Sequence, residues 1–451
     1  DKTFQAYSAT MTAKFGPAEL TSVTGYTINH VWDNVDYSVG LGFLSGYTEP
    51  AFGIPNGTTG VTLVDDNQTN RFSQELRLTT PLGSKIDWLI GTFYTTERSP
   101  FMQTLLASDQ TTGANVGYWA NFNWLVTYRE YAGFSDLTFK LTDRFDVQLG
   151  AREAGIEQTY SEVDTGPFVP LAELHPSPLY YPEVVTHSNA FTYLVTPRFK
   201  ISPDLMVYAR LASGYRPGGP NPTASAFGLP LEFQPDKAKN YEVGFKGDIA
   251  DHLFSFDASV YYIDWKNIQL AFIDPAIGFS FNANGSRAKS QGVELSTETR
   301  PFKGFSISAW VAFDDAELTE PFPPASALYG ASGDRLPFSS KFSGNLAAND
   351  EFPIANNVSG FAGASVAYVG NRVGNFTSPP PTVPPRQYYP AYAKTDIHGG
   401  IKYDAWTATV YVNNLTDRRG LLYGGLGTVP NPSSFEILQP RTAGFNLSRR
   451  F

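Results

Sequence analysis

Apolar and polar residues alternate with a period of two through much of the chain. In 254–262, Phe254, Phe256, Ala258, Val260 and Tyr262 share one face, and Ser255, Asp257, Ser259 and Tyr261 share the other. In 305–313, Phe305, Ile307, Ala309, Val311 and Phe313 oppose Ser306, Ser308, Trp310 and Ala312. In 406–413, Trp406, Ala408, Val410 and Val412 oppose Thr407, Thr409, Tyr411 and Asn413. A period of two sends successive side chains to opposite faces of a strand. Sustained over about ten residues, it matches a tilted strand crossing a bilayer. Strands of a soluble sandwich or propeller are shorter, about five to six residues.

The predicted strands come in pairs. Segments 4–15 and 20–31 flank Gly16-Pro17-Ala18-Glu19; 71–80 and 86–96 flank Pro81-Leu82-Gly83-Ser84; 125–141 and 145–160 flank Thr142-Asp143-Arg144. The same arrangement joins 190–201 to 205–215, 241–247 to 252–265, and 279–299 to 305–315. It recurs between 338–348 and 358–369, turning near Glu351-Phe352-Pro353, and between 392–403 and 406–414. Long loops are expected from 32 to 70, up to about Trp124, and over the Pro-rich 167–182. Short turns alternating with long loops are what an outer-membrane barrel shows, with the short turns in the periplasm. The expected fold is all-β, a transmembrane antiparallel β-barrel, with about seventeen strands in this chain.

The stretch 441–451 reads as the last strand and ends on an aromatic residue. Phe445, Leu447 and Phe451 fall on one face, Asn446, Ser448 and Arg450 on the other. Arg449 breaks the pattern near the chain end, where a long side chain snorkels to a head group. A long loop precedes this strand, so it descends to the short-turn side. Segment 4–15 also ends in a short turn and descends. Two strands running the same way cannot close an antiparallel seam. The expectation is an odd number of further strands ahead of Asp1.

Composition narrows the class. The chain is 15% aromatic, with 25 Tyr, 34 Phe and 40 Gly, yet its mean hydropathy is -0.23. A wall with one face in lipid and one in water produces that mixture. No apolar run approaches the roughly 20 residues of a spanning helix. There is no Cys, which removes thiolate chemistry and Cys-based zinc sites. No signal peptide is visible at Asp1, so the chain reads as processed or as a fragment. A formal charge of -10 argues against nucleic acid and leaves room for lipopolysaccharide met by local basic patches. His30, His175, His187, His252 and His398 show no metal-ligand spacing, and neither metal nor cofactor is expected. His252 and Ser259 stand seven residues apart and point to opposite faces, so no catalytic wall is formed. No enzyme is expected.

Several motifs, in one order, resemble the C-terminal barrel of the TonB-dependent receptor family. They begin with Leu20-Thr-Ser-Val-Thr-Gly-Tyr26, Phe72-Ser-Gln-Glu-Leu-Arg-Leu78 and Trp88-Leu-Ile-Gly-Thr-Phe-Tyr94. Ala209-Arg-Leu-Ala-Ser-Gly-Tyr-Arg-Pro-Gly-Gly-Pro-Asn221 is similar to a mid-barrel segment. Tyr241-Glu-Val-Gly-Phe-Lys246, Ile263-Asp-Trp265, Asn282-Ala-Asn-Gly285 and Gly292-Val-Glu-Leu295 follow, then Tyr411-Val-Asn-Asn-Leu-Thr-Asp417 and Phe451. The resemblance implies a 22-stranded outer-membrane transporter of a Gram-negative bacterium, with a plug domain in its lumen. Residues 1–451 would be the barrel without the plug and without about five N-terminal strands. The resemblance also implies energy from TonB through the plug, a small-molecule substrate such as a ferric siderophore or other nutrient, and recognition of Phe451 by the barrel-assembly machinery. Haem-carrying members have a His in a loop where this chain reads Tyr215-Arg-Pro-Gly-Gly-Pro-Asn-Pro222. A scaffold barrel in an envelope complex and a passive porin are the alternatives.

Charges placed inward by alternation are the candidate functional residues. Glu75 and Arg77 face the lumen if Leu76 and Leu78 face lipid. Glu242 and Lys246 oppose Val243 and Phe245, and Arg152 and Arg210 follow the same rule. A charge on the lipid face at mid-bilayer costs about 2–4 kcal/mol, which favours this placement. Arg216, Tyr215, Arg210 and Arg152 are the candidate substrate contacts. Glu75, Arg77, Glu242 and Lys246 are the candidate lumen-wall or plug contacts. Tyr180-Tyr181, 376–389 and 421–435 are aromatic and Pro-rich stretches expected in loops at the mouth.

Overall fold

The computed structural model describes residues 1–41, 60–109, 111–172, 176–221, 224–250, 253–276, 278–379, 385–424 and 435–450. Seventeen strands form one antiparallel sheet. The first eight are β1 (Lys2–Phe15), β2 (Ala18–Asp36), β3 (Gly60–Leu82), β4 (Ile86–Ser108), β5 (Asn115–Lys140), β6 (Phe145–Thr165), β7 (Leu179–Ser202) and β8 (Leu205–Arg216). The rest are β9 (Asp236–Ile249), β10 (Phe254–Lys266), β11 (Arg287–Phe302), β12 (Phe305–Leu318), β13 (Phe342–Ala355), β14 (Val358–Val369), β15 (Tyr392–Tyr403), β16 (Trp406–Asn413) and β17 (Thr442–Arg449). Each pairs with its neighbours in sequence. Among the described residues no ladder joins β1 to β17.

The short turns fall where Gly, Pro, Asp and Asn predict them. Gly16 has φ 60° between β1 and β2, and Asn357 and Asp404 adopt the same left-handed region after β13 and β15. At Gly304 a Cβ would meet the Glu351 carbonyl oxygen at 2.0 Å, so the β11–β12 turn passes too close to β13 for any side chain.

The sheet has no filled centre of its own. Val243, Val260 and Val293 are 57%, 58% and 48% exposed and lie directly opposite one another across β9, β10 and β11. Such a row is intolerable in water and ordinary on a face solvated by lipid. Rings ring this band on both sides. Toward the long loops stand the Phe72–Tyr94, Tyr94–Tyr131, Tyr241–Tyr262 and Phe342–Tyr368 pairs. Toward the short turns stand Phe245–Phe256 and Phe302–Phe305. Buried apolar side chains gather instead above the band. One cluster comprises Val61, Leu63, Leu105, Ala107, Trp119, Ala120 and Val169, the other Ile268, Ala288, Leu318 and Phe376.

Several expectations are corrected. The loops placed over 32–70 and up to Trp124 are cut back by longer strands: β2 runs on to Asp36, β3 already begins at Gly60, and β3, β4 and β5 run for 23, 23 and 26 residues, while 42–59 lie outside the described residues. A crossing needs only about 9–11 residues, so these ladders continue above the bilayer. Tyr180 and Tyr181 are not loop residues but lie in β7, opposite Val163 and Glu162. The segment 279–299 divides into a short strand Ser280–Asn284, paired with Gln269–Ile273, and β11. The 338–348 strand starts later and runs on to Ala355, through the expected turn at Glu351-Phe352-Pro353. Arg449, placed near a head group by the sequence, has its guanidinium 5.3 Å from the Trp406 ring centre, directly across the ladder. Phe451, His175, His252 and the prolines at 380, 381 and 384 lie outside the described residues.

Candidate functional site: the inner wall

The face opposite the exposed valines carries the candidate charges. On β3, Glu75 and Arg77 lie two residues apart on one face and form an ion pair at 3.3 Å. On β8 and β9, a group assembles around Tyr208. Its hydroxyl donates to Glu242 at 2.6 Å, Lys246 sits 5.3 Å from the ring centre, and Arg210 sits 5.9 Å away. Gly244 lies directly opposite Tyr208, and a Cβ there would fall 2.2 Å from the ring. The missing side chain is what lets the phenol lie flat on the wall and reach Glu242.

Next along the wall, a hollow of about 690 Å³ is lined by Tyr208, Glu242, Asp257, Tyr261, Glu294 and Trp310 among others. Three of those six side chains are carboxylates. Tyr261 and Ser290 both donate to Asp314, at 3.2 and 2.6 Å.

Arg152 belongs to a second group, built from β4, β5, β6 and β8. Its guanidinium donates to Glu130 at 2.6 Å, and Tyr128 donates to the other oxygen of the same carboxylate at 2.7 Å. The rings of Phe93 and Phe134 flank Arg152 at 5.1 and 5.8 Å. Tyr215 joins through a side-chain contact to Arg152. Above it, Gln158 donates to the Gly218 carbonyl, which fixes the Gly-Gly segment against β6. Arg216 binds Asp236 through two nitrogens, at 3.0 and 2.5 Å, and lies 5.8 Å from the Trp265 ring. Asp236 is only 3% exposed, so its charge is matched at close range rather than by water.

Arg152 and Tyr215 therefore meet, Arg210 belongs with Glu242 and Lys246 around Tyr208, and Arg216 is held by Asp236 and Trp265. Glu75 and Arg77 hold each other. Glu130, Tyr128, Tyr208, Asp236, Asp257, Glu294 and Asp314 were not singled out from sequence. Alternation marks Glu130, Tyr128, Tyr208, Asp236 and Asp257, each on the same face as a chosen residue of its own or the neighbouring strand; Glu294 and Asp314 lie on strands that carry no chosen residue and follow only from the ladder running on through Ser259 and Gly292. Among the described residues no group of three or more His, Asp or Glu is arranged to hold a metal ion.

At the mouth, Arg386 donates to the carbonyls of Gly374 and Arg335 and covers Phe376 at 4.3 Å. Burial pulls its guanidinium below the ordinary arginine value. Asp417 accepts the Arg441 N–H at 2.8 Å and pairs with Arg419 at 3.0 Å, which holds its carboxyl below the usual range. It thereby ties the stretch after β16 to the start of β17.

Residues 3–415 match the family model described as TonB dependent receptor-like, beta-barrel. The chain is 28% identical to a pesticin receptor of Yersinia enterocolitica over 287 residues, 62% of this chain and 38% of that protein. It is 28% identical to a metal-pseudopaline receptor of Pseudomonas aeruginosa over 240 residues, 52% of this chain and 31% of that protein. Its fold superimposes on the ferric yersiniabactin uptake receptor of Yersinia pestis with a TM-score of 0.75 at 20% identity, covering 99% of this chain and 61% of that one. The siderophore receptor PiuA of Acinetobacter baumannii gives 0.70 at 15% identity, covering 99% and 64%. The chain thus spans less than two thirds of the length of each of these receptors. It belongs to the TonB-dependent receptor family of the Gram-negative outer membrane, as that family's β-barrel.

Proposed function

We propose that this chain is the wall of a receptor that takes up a scarce metal chelate or comparable nutrient, with energy delivered by TonB through a plug. The observation that carries the reading is the Arg152–Glu130–Tyr128–Tyr215 group, which turns charge and hydroxyls into the lumen of a family barrel. The names of its relatives, receptors for pesticin, metal-pseudopaline and ferric yersiniabactin, support the substrate class. Arg77, Arg152 and Arg216 are already paired with carboxylates, and Arg210 and Lys246 lie against the Tyr208 ring. A plug or substrate gains a grip by exchanging partners with these pairs, as Arg152 trading Glu130 for an incoming acceptor. Exchange costs little, because one charge-assisted hydrogen bond replaces another.

We further propose that strands outside this chain complete the wall. Seventeen antiparallel strands leave β1 and β17 running the same way, which supports this reading. The test of uptake is growth and labelled-iron import in the source bacterium under metal limitation. Deleting the gene should abolish import of one chelate, and removing TonB should do the same. Unchanged rates for every chelate in a broad panel would overturn the proposal.

A further inference from the structure

One seam of the wall is only partly closed. β7 and β8 pair at Arg198–Tyr208, Phe199–Val207 and Lys200–Met206, and again at Leu194–Ala212 and Val195–Leu211. Between the two runs lies Pro197, which has no N–H to give the ladder. Beside it Thr196 is 2% exposed, and its hydroxyl has no hydrogen-bond partner among the described residues. Above Ala212 no pair joins β7 to β8 among the described residues. Yet β7 stays laddered to β6 as far as Leu179, and β8 to β9 as far as Arg216. The Tyr193 N–H donates to the Ser213 hydroxyl at 3.0 Å rather than to a ladder carbonyl.

The free end of β8 leans into the lumen. In the β8–β9 ladder, Arg210 and Arg216 lie on the lumen side with Glu242 and Asp236, so Tyr215 lies on the outer side with Lys237. Tyr215 nonetheless touches Arg152, which faces the lumen from β6, with β7 between them in the sheet. An outward side chain reaches an inward one only where the outer face of β8 overlies the inner face of β7. The chain beyond β8 continues the same crossing, since the Gly218 carbonyl accepts from Gln158 of β6. Ala190, a small inward residue of β7 at this level, is 1% exposed. Gly214 stands in the leaning stretch, and a Cβ there would meet nothing within 4 Å. Space does not demand a glycine at this point; its effect is to loosen the strand.

Continuing the existing register sets Tyr193 opposite Ser213, Thr192 opposite Gly214, Phe191 opposite Tyr215 and Ala190 opposite Arg216. Tyr215 then joins the Phe191–Tyr193 ring pair on the outer face, a cross-strand aromatic contact of the kind that stabilises sheets. We propose that upper β8 is a strap with two positions, latched inward on Arg152 as described above and zipped onto β7 when Arg152 takes another partner. Zipping exchanges the latch contacts, Arg152–Tyr215 and Gln158–Gly218, for ladder bonds and an aromatic pair, so neither position strands the segment without partners. Because β8 stays laddered to β9, the two strands withdraw together and the lumen widens beside Arg152. A substrate group or plug acceptor that binds Arg152 in preference to Tyr215 shifts the balance toward the zipped position. The strap regulates the Arg152 group and rests on the uptake reading for its purpose, though not for its motion.

The test is disulfide trapping in the intact receptor, to which this chain brings no Cys of its own. The pair T192C/G214C comes opposite only in the zipped position, whereas K200C/M206C is already paired and reports ordinary crosslinking. T192C/G214C should crosslink slowly in the parent. It should crosslink at least about tenfold faster when Y215F or R152A is added, since either change removes a hydrogen bond to a charged group. K200C/M206C should crosslink at one rate in all three backgrounds. Heat-modifiable mobility on a gel confirms that each variant is folded. Equal T192C/G214C rates with and without the latch residues would overturn the proposal, as would no crosslink in either folded latch variant. The assay needs no chelate, so import by the parent receptor reports separately on the uptake reading.

Discussion

At the scale of single residues, several charges of the inner wall already have partners: Arg77 with Glu75, Arg152 with Glu130 and Arg216 with Asp236. Arg152 and Glu130 have side chains 29% and 11% exposed, so their pair is partly desolvated and worth more than a surface ion pair. Among the described residues, replacing Arg152 by Ala leaves Glu130 with the Tyr128 hydroxyl alone. We expect a loss of about 1–3 kcal/mol in unfolding free energy, less than a fully buried pair would show because the lumen is wet. Removing both, R152A/E130A, should recover part of it, and a double-mutant cycle in thermal unfolding measures the coupling. If the two single changes and the double change simply add, the pair is not coupled. Alternation was enough to turn Arg152 and Glu242 inward. It could not name their partners. Arg152 lies opposite Phe134, and Glu130 opposite Ile156, so the pair is a diagonal reach across the ladder that no spacing announces.

At the scale of elements, crossing and projection obey different rules. Within the bilayer one face must be apolar, and that is why β10, β12 and β16 were legible as strands. Above it both faces meet water, and β3 can run through Asp65, Asp66, Asn67 and Gln68 without losing its ladder. Polarity there hid the strand and made it read as loop. What holds these projections together is the small core around Trp119, which is 1% exposed. Truncating Trp119 to Ala should cost about 3–5 kcal/mol locally. Limited proteolysis should then nick the upper parts of β3–β6, while the bilayer band stays resistant and heat-modifiable. Loss of heat-modifiable barrel would show instead that the cluster supports the whole wall.

At the scale of the molecule, the two edges of the sheet decide what it can be. The final strand, Arg449 against Trp406, places the chain end at the short-turn side as the turn pattern predicted. Phe451 lies beyond the described residues, and its resemblance to a family assembly signal gives one prediction. Deleting it should lower the amount of assembled receptor in the membrane and leave the affinity of the assembled fraction for its ligand unchanged. The other edge carries a larger consequence. All fourteen residues of β1 are exposed, and among the described residues its only ladder is to β2. An unpaired strand edge in hydrocarbon costs several kcal/mol for each backbone group left without a partner. If further strands complete the wall, residues 1–451 exported alone should fail to form a heat-modifiable monomer. They should be extracted by urea or degraded, whereas the same residues joined to the strands that pair with β1 and β17 should assemble. A stable, heat-modifiable monomer made from residues 1–451 alone would mean that β1 and β17 close in parallel, as in an odd-stranded barrel, and the completed-wall proposal would fall.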